Sequence, residues 1–440
     1  MNVAVVVLDA LRYDFFRESF GWLGGKRFTR AYSTSHWTAP VHASLYTGRY
    51  ASEVGIHPRS LPFDWSGTTL AEALADAGYT TRLFTANGQL YRWDGWRRGF
   101  AQALGPATVA PIGAERGLDW DRFLHETETT GPRRYLRAVW ESLTGGDDTL
   151  VSLRRGYDMA RNPRWMVSAA EMAERVRETD FGDREFLFMN FIDAHTPYQP
   201  PIPYRTSDDP VRVLDTDAFA GAVGEDDRIR RAYDDAVRYL SDIYREVYAD
   251  LLTAFDRVIT LSDHGELLGE HGMWNHSYGL YPELTHVPLV LDGAGIEAGT
   301  VDRPVSLLDV HRTIAELTGI EVDSRGHHLL DAASETDRLV EYQGLLPWHR
   351  GRFRELGLSV ARYDRLDSPL DGFLAPNGYY GYQTHDDGFR SVGTPPAGVD
   401  DPEAHLAALV DAIPHQSPEG GEETELSPAV RDRLEELGYV

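Results

Sequence analysis

Three separated segments of this 440-residue chain carry groups that can do chemistry: Val5 to Asp9, Thr38 to Gly48, and Leu261 to Glu266. The first ends in Asp9, the second opens with Thr38 and carries His42, and the third holds Asp263, His264 and Glu266. Two carboxylates, an imidazole and a hydroxyl make a hard, mixed oxygen and nitrogen ligand set. It suits one divalent ion (Mn²⁺, Mg²⁺, Ca²⁺ or Zn²⁺) and disfavours thiolate-loving metals. A threonine beside such a cation is acidified and becomes a nucleophile for displacement at phosphorus or sulfur.

Each residue also has a plainer role. Asp9 and Asp263 fit as turn or helix-capping residues. Thr38 precedes Ala39-Pro40, and proline suits a first helical turn, so Thr38 reads as an N-cap with Gly48 closing the helix. The same geometry places its hydroxyl at a helix amino end, where free N–H groups and positive potential favour an oxyanion. His42 lies one turn on, on the same side, and can bond the nucleophile or substrate; otherwise it is a satisfied surface histidine. His195, in Asp193-Ala194-His195-Thr196-Pro197, can bind an oxyanion or protonate a leaving group. His276, in Trp274-Asn275-His276-Ser277, follows His264 closely enough to return to the same place. Glu266 orients His264 or is a first-turn charge. His271 and His286 read as structural or exposed.

These groups need strand ends to hold them. Val3 to Leu8 is a short β-branched run, a buried parallel strand with Asp9 at its carboxyl end. Thr69 to Glu72 is a capping box opening a helix to Ala77, with Gly78 as the left-handed stop. Strands follow at Thr80 to Thr85, Phe186 to Ile192, Arg257 to Leu261 and Val287 to Leu291. A helix runs from about Leu307 to Leu317 and stops at Gly319. Strands alternating with helices imply an α/β fold on a mainly parallel sheet, helices on both faces. Ligand sites in such sheets gather at the strands' carboxyl ends. Residues from about 104 to 180 show helical patterns, Met166 to Val176 among them, and no clear strand, as in a helical insertion. Beyond about 325, aromatic, turn-rich pieces such as Asn377 to Tyr382 suggest a smaller, partly antiparallel domain. Ser417 to Glu425 reads as a linker before a tail helix from Ser427 to about Leu437.

The formal net charge is −26, and Lys26 is the only lysine. So acidic a surface repels nucleic acid and anionic membranes. It also suits solvation in a salty cytoplasm, where repulsion is screened, and points to a halophilic, haloarchaeal source. The absence of cysteine excludes disulfides, thiolate zinc sites and cysteine nucleophiles. The apolar run before Asp9 is too short for a signal peptide, and no stretch is long enough for a membrane span. The expectation is a soluble, cytoplasmic protein.

At these residues the chain resembles the sulfatase family of the alkaline phosphatase superfamily. The likeness runs through an opening strand ending in aspartate, Pro40 with Ala43-Ser44-Leu45 and Thr47-Gly48, and His195-Thr196-Pro197-Tyr198 with Pro200-Pro201. It continues in Ser262-Asp263-His264-Gly265-Glu266, Gly269-Glu270-His271-Gly272, Val287-Pro288-Leu289, Pro304 to Asp309 and Leu426-Ser427-Pro428. The resemblance covers residues 1 to about 325. It implies an alkaline-phosphatase-like α/β/α sandwich, a smaller C-terminal sheet subdomain over 326–440, and hydrolysis of sulfate or phosphate esters. The substrate would be a small-molecule or glycan ester.

The departures set the expected chemistry. Sulfatases carry Cys or Ser where this chain has Thr38 and convert it to formylglycine. Oxidising threonine, whose β-carbon bears a methyl, gives a ketone and never that aldehyde. The signature arginine is His42, the second acidic residue after the opening aspartate is Ala10, and the aspartate-asparagine pair is Asp263-His264. The usual lysine is replaced by His276. A threonine with an Asp-His pair resembles the phosphodiesterases and phospho-headgroup transferases of the superfamily, which use threonine directly. The two-metal Asp-x-x-x-His motif does not fit Asp193-Ala194-His195, so one metal is expected. The leading expectation is a metal-dependent ester hydrolase in which Asp9, Asp263, His264 and Thr38 hold the ion. Thr38 is its nucleophile, His42 and His195 bind the oxyanion, and His276 or His195 protonates the leaving oxygen. Its rivals are a transferase to a glycan or lipid alcohol, and a degenerate sulfatase-like binding protein.

Overall fold

The computed structural model describes residues 1–106, 169–207, 226–331 and 334–416, with single positions between them (137, 140, 211–213, 219, 223 and 224). Its centre is strand β1 (Val3–Leu8), which has no solvent exposure at any residue. β1 lies parallel to β5 (Glu185–Phe191) on one side and β6 (Arg257–Leu261) on the other. With β2 (Lys26–Tyr32), β3 (Thr80–Thr85), β4 (Gln102–Leu104), β10 (Leu289–Gly293) and β11 (Gly299–Ser306), the main path reads β11-β2-β10-β6-β1-β5-β3-β4. The two-residue β9 (His286–Val287) pairs with β2.

Alternation along β1 explains the layering. Val3, Val5 and Val7 face the helices Thr38–Thr47, Leu70–Asp76 and Leu308–Thr318, through Val41, Leu45, Leu74 and Ile314. Ala4, Val6 and Leu8 face the helices Ala169–Glu178 and Asp226–Ala254, through Met172, Tyr233, Leu240 and Leu251. Both faces are covered, so the strand is apolar throughout instead of alternating with polar residues. Each buried Val or Leu contributes about 1.5–3 kcal/mol relative to exposure. A charged substitution in β1 would therefore disrupt one of the two helical layers.

Local signals are matched closely. Thr69 caps its helix through the backbone N–H of Glu72, whose carboxylate returns to the Thr69 backbone. Gly319 closes the Leu308–Thr318 helix in the left-handed region.

Two features differ from the sequence reading. The run at Val287 to Leu291 breaks at Pro288, and β10 is antiparallel to both β6 and β2. The described chain between β6 and β9 contains no α-helix longer than the four residues Pro282–Thr285. No crossover carries it back to the other end of the sheet, so it re-enters from the edge where β6 finished. Asp226–Ala254, a 29-residue helix, is not assigned by the sequence reading, although Ile229, Tyr233, Val237, Leu240, Tyr244, Val247 and Leu251 recur at helical spacing.

Strands β12 (Arg338–Tyr342), β13 (Leu370–Leu374), β14 (Tyr380–Thr384) and β15 (Gly388–Val392) form a second, wholly antiparallel sheet. It is tied to the large sheet beside the signature helix. Ser35 Oγ donates to the Glu341 carbonyl (2.6 Å), and the Glu341 N–H donates to the Thr34 carbonyl (2.9 Å). Most of the expected insertion, Met166 included, and the expected linker and tail helix lie outside the described residues.

Candidate active site

Asp9 and Asp263 meet because β1 and β6 are adjacent parallel strands and each residue follows its strand's carboxyl end. The Asp9 N–H continues the ladder to the Phe191 carbonyl at 2.8 Å. Its Oδ2 accepts from Asn87 Nδ2 and Asn190 Nδ2, both at 3.1 Å. Ala10 takes a left-handed φ of 58°, and its N–H donates to Asp263 Oδ1 at 3.3 Å. Asp263 Oδ1 also accepts from the His264 N–H at 3.0 Å. The His264 ring donates from Nδ1 to the Gly265 carbonyl (2.9 Å). That bond leaves a lone pair on Nε2, 3.5 Å from Asp9 Oδ1 and 3.6 Å from Asp263 Oδ2.

Asp9, Asp263 and His264 each offer a ligand atom within 4.8 Å of the others, and all three are buried. Asp9 Oδ1 and Asp263 Oδ2 have no hydrogen-bond partner among the described residues. Burial, reinforced by the Asp9 charge, pushes the Asp263 carboxyl well above the usual carboxylate range. Two facing carboxylates with bare oxygens at zero exposure are costly unless protonated or bridged by a cation. The donor set therefore fits a divalent metal, and among the described residues it is the one cluster with that spacing.

Thr38 is the first residue of its helix and not its cap, a correction to the sequence reading. Trp37 holds the capping position in extended conformation, with no side-chain cap bond. The Thr38 hydroxyl is thus free of a capping role, and Oγ1 lies 3.5 Å from Asp9 Oδ2 and 3.4 Å from His264 Nε2. His42 returns one turn later. Its Nδ1 donates to the Thr38 carbonyl at 2.9 Å and lies 3.7 Å from Asp263 Oδ2. The ring packs edge-on against Phe188 and Tyr46, so it braces the Thr38 turn from the apolar side.

His195 and His276 join the cluster from other segments. His195 donates from Nδ1 to the Thr196 carbonyl (2.5 Å), and its ring centroid is 4.8 Å from that of His276. The His276 ring is 4.3 Å from that of His264. Glu266 is paired with His276, Oε1 to Nδ1 at 3.0 Å. The expectation that it orients His264 is replaced, because the Gly265 carbonyl already occupies His264 Nδ1. His271 stacks on Tyr281, and His286 bonds the Thr29 carbonyl while stacking on Tyr32. Both serve packing.

Sequence reasoning missed three contributors. Asn190 sits within an otherwise apolar run, where a buried amide must find a partner. Asn87 follows the end of β3. His36, two residues before Thr38, is buried, and its Nδ1 donates to the His276 carbonyl at 2.6 Å. Desolvation lowers all the site imidazoles: His36 to about 3, His42 to about 4, and His195, His264 and His276 below their ordinary range. Burial thus disfavours the charged form of each ring, so positive charge for an anionic substrate must come with a cation or a proton.

A mixed sheet between two helical layers, with a buried carboxylate-imidazole cluster at its carboxyl edge, defines an α/β protein of the alkaline-phosphatase-like fold. The Sulfatase family model matches residues 21–320; the chain belongs to the sulfatase family. It is 26% identical over 334 residues to a choline-sulfatase of Rhizobium meliloti (strain 1021), covering 68% of this chain and 61% of that protein. A 66-residue stretch is 44% identical to the low-salt glycan biosynthesis sulfotransferase Agl7 of Haloferax volcanii, 14% of this chain and 16% of that one. The fold matches a phosphonate monoester hydrolase from Silicibacter pomeroyi with a TM-score of 0.60 at 18% identity, over 93% of this chain and 94% of that one. Among the described residues, no helix is long and apolar enough to cross a membrane.

Proposed function

We propose that the protein is a metal-dependent ester hydrolase that cleaves phosphate, in preference to sulfate, monoesters or diesters through Thr38. The observation that carries this reading is the position of Thr38 Oγ1, within 3.5 Å of Asp9 Oδ2 and 3.4 Å of His264 Nε2, inside the carboxylate-imidazole cluster. Asp9, Asp263, His264 and Thr38 would hold one divalent ion, which supplies charge neutralisation and lowers the pKa of the hydroxyl.

Thr38 works as an alkoxide, its proton lost to solvent beforehand. The bond from its Oγ1 to phosphorus forms as the bond to the leaving oxygen breaks. His276 takes up a proton at Nε2 as the anionic substrate binds and gives it to the leaving oxygen, and His195 faces the transferred group's oxygens. Water then attacks the phosphothreonine, passes its proton back to His276, and Thr38 is released. His42 holds the Thr38 carbonyl, which fixes the turn that aims the nucleophile. Phosphorus is favoured because a sulfo-threonine lacks the breakdown route that a formylglycine hydroxyl provides.

Turnover of aryl phosphate, bis-aryl phosphate and aryl sulfate in high salt with Mn²⁺ tests the reading. Thr38→Ala should abolish activity on whichever ester is cleaved, and near-normal turnover by that variant ends the nucleophile role. Similarity to a glycan sulfotransferase supports a second reading, transfer to an alcohol. Product analysis with and without a sugar acceptor separates the two.

A further inference from the structure

His276 is held at several points. Its N–H donates to Asn275 Oδ1 (2.8 Å), its carbonyl accepts from His36 Nδ1 (2.6 Å), and its Nδ1 meets Glu266 Oε1 at 3.0 Å. Glu266 is fixed in turn. The Tyr198 hydroxyl bonds its carboxylate, and its backbone carbonyl accepts from Arg12 Nη1 at 3.1 Å. The same guanidinium bonds Glu270 Oε1 at 2.9 Å and grips both oxygens of Asp14 at 3.0 and 2.8 Å. Glu270 Oε2 accepts from the Leu268 N–H at 2.6 Å. The short hairpin between Glu266 and His276, β7 (Leu267–Leu268) and β8 (Trp274–Asn275), is thereby pinned to the segment just after Asp9. A carboxylate and an imidazole with almost no exposure are expensive to desolvate, and an apolar pair would hold a hairpin as well.

We propose that Glu266, held in place by Arg12, is a positioning residue that fixes His276 for proton transfer at Nε2 to the leaving oxygen, which suits the site to esters of weakly acidic alkyl or sugar alcohols. This rests on the reaction proposed above. Glu266 accepts the Nδ1–H of His276 in its hydrogen bond, which selects the tautomer and leaves Nε2 as the nitrogen that transfers the proton. In the first half-reaction the leaving oxygen gains the Nε2 proton as its bond to phosphorus breaks. In the second, Nε2 regains a proton from water as the phosphothreonine bond breaks. Esters of weakly acidic alcohols depend most on such a proton, and aryl esters with acidic phenols depend on it least.

The test is a leaving-group series of phosphate esters running from 2,4-dinitrophenol through phenol to ethanol, measured as kcat/KM on the metal-loaded full chain. Glu266→Gln should slow the phenyl and ethyl esters about 100-fold and the dinitrophenyl ester less than about 3-fold. Arg12→Gln should tilt the series in the same direction by less. In a His276→Asn background, Glu266→Gln should add almost nothing, because both changes remove the same function. A uniform loss across the series, or a full further loss in that background, overturns the proposal. If Glu266→Gln does not fold, the His276→Asn series alone decides, since an unchanged leaving-group dependence overturns it equally. Activity surviving Thr38→Ala defeats the underlying reaction, whereas a flat series with Thr38→Ala inactive defeats only the positioning role.

Discussion

The two sides of the candidate pocket are built differently. On one side, Asp9 and Asp263 follow neighbouring parallel strands; the amides of Asn87 and Asn190 hold Asp9, and the N–H groups of Ala10 and His264 hold Asp263. On the other, His36, His195 and His276 come from connecting segments, each pinned by a ring nitrogen to a carbonyl or to Glu266. The first side concentrates negative charge that calls for a cation. The second offers imidazole rings whose placement depends on loop contacts. A sheet edge gives a rigid charge platform, while loops can be re-spaced to suit a different leaving group.

The contrast is broken most severely on the strand-end side. Asp263→Ala should leave the protein without bound metal after dialysis and cut kcat/KM by about 10⁴-fold or more. One equivalent of metal on the dialysed wild type, by elemental analysis, supports the hydrolase, whereas an empty wild-type site favours the degenerate binding protein. A smaller effect is expected behind the ligands. Asn190→Leu removes one of the two amides on Asp9 Oδ2 and should weaken metal binding about 10–100-fold, read by titration with a competing chelator; unchanged affinity would show that Asn87 alone suffices.

The smallest expected effect lies at the junction of the two sheets. Burial raises the Glu341 carboxyl to about 7 despite its bonds from the Ser52 hydroxyl and N–H. The folded state thus favours the protonated acid. Its contribution is complete below about 4.5, the unfolded value, and is lost as pH rises through about 7. Wild-type Tm should fall across that interval by a few degrees more than that of Glu341→Gln, which stays neutral. Parallel Tm curves for the two proteins would show that Glu341 does not titrate there.

Much of the strand-end side was legible from sequence. An apolar β-branched run ending in aspartate can hardly be anything but a buried strand with a polar residue at its edge. Asp263-His264 after Arg257–Leu261 repeats that pattern. The capping box at Thr69 and the left-handed Gly319 are equally local. Thr38 was placed at the right helix end but one position early as its cap, because Thr-Ala-Pro signals an N-cap and Trp37 takes that position instead. The direction of β10, the Glu266–His276 pairing and the supporting amides of Asn87 and Asn190 depend on which distant segments meet.

The central strands, the Thr69 cap, the Gly319 stop and the ligand types of this chain are written in near-neighbour patterns, because caps, β-branched runs and left-handed glycines act over a few residues. Which imidazole receives a carboxylate, and which amides brace Asp9, was decided only when β1, β5 and β6 lay side by side. Those contacts join residues 78 and 181 positions from Asp9, and no local preference encodes such a meeting.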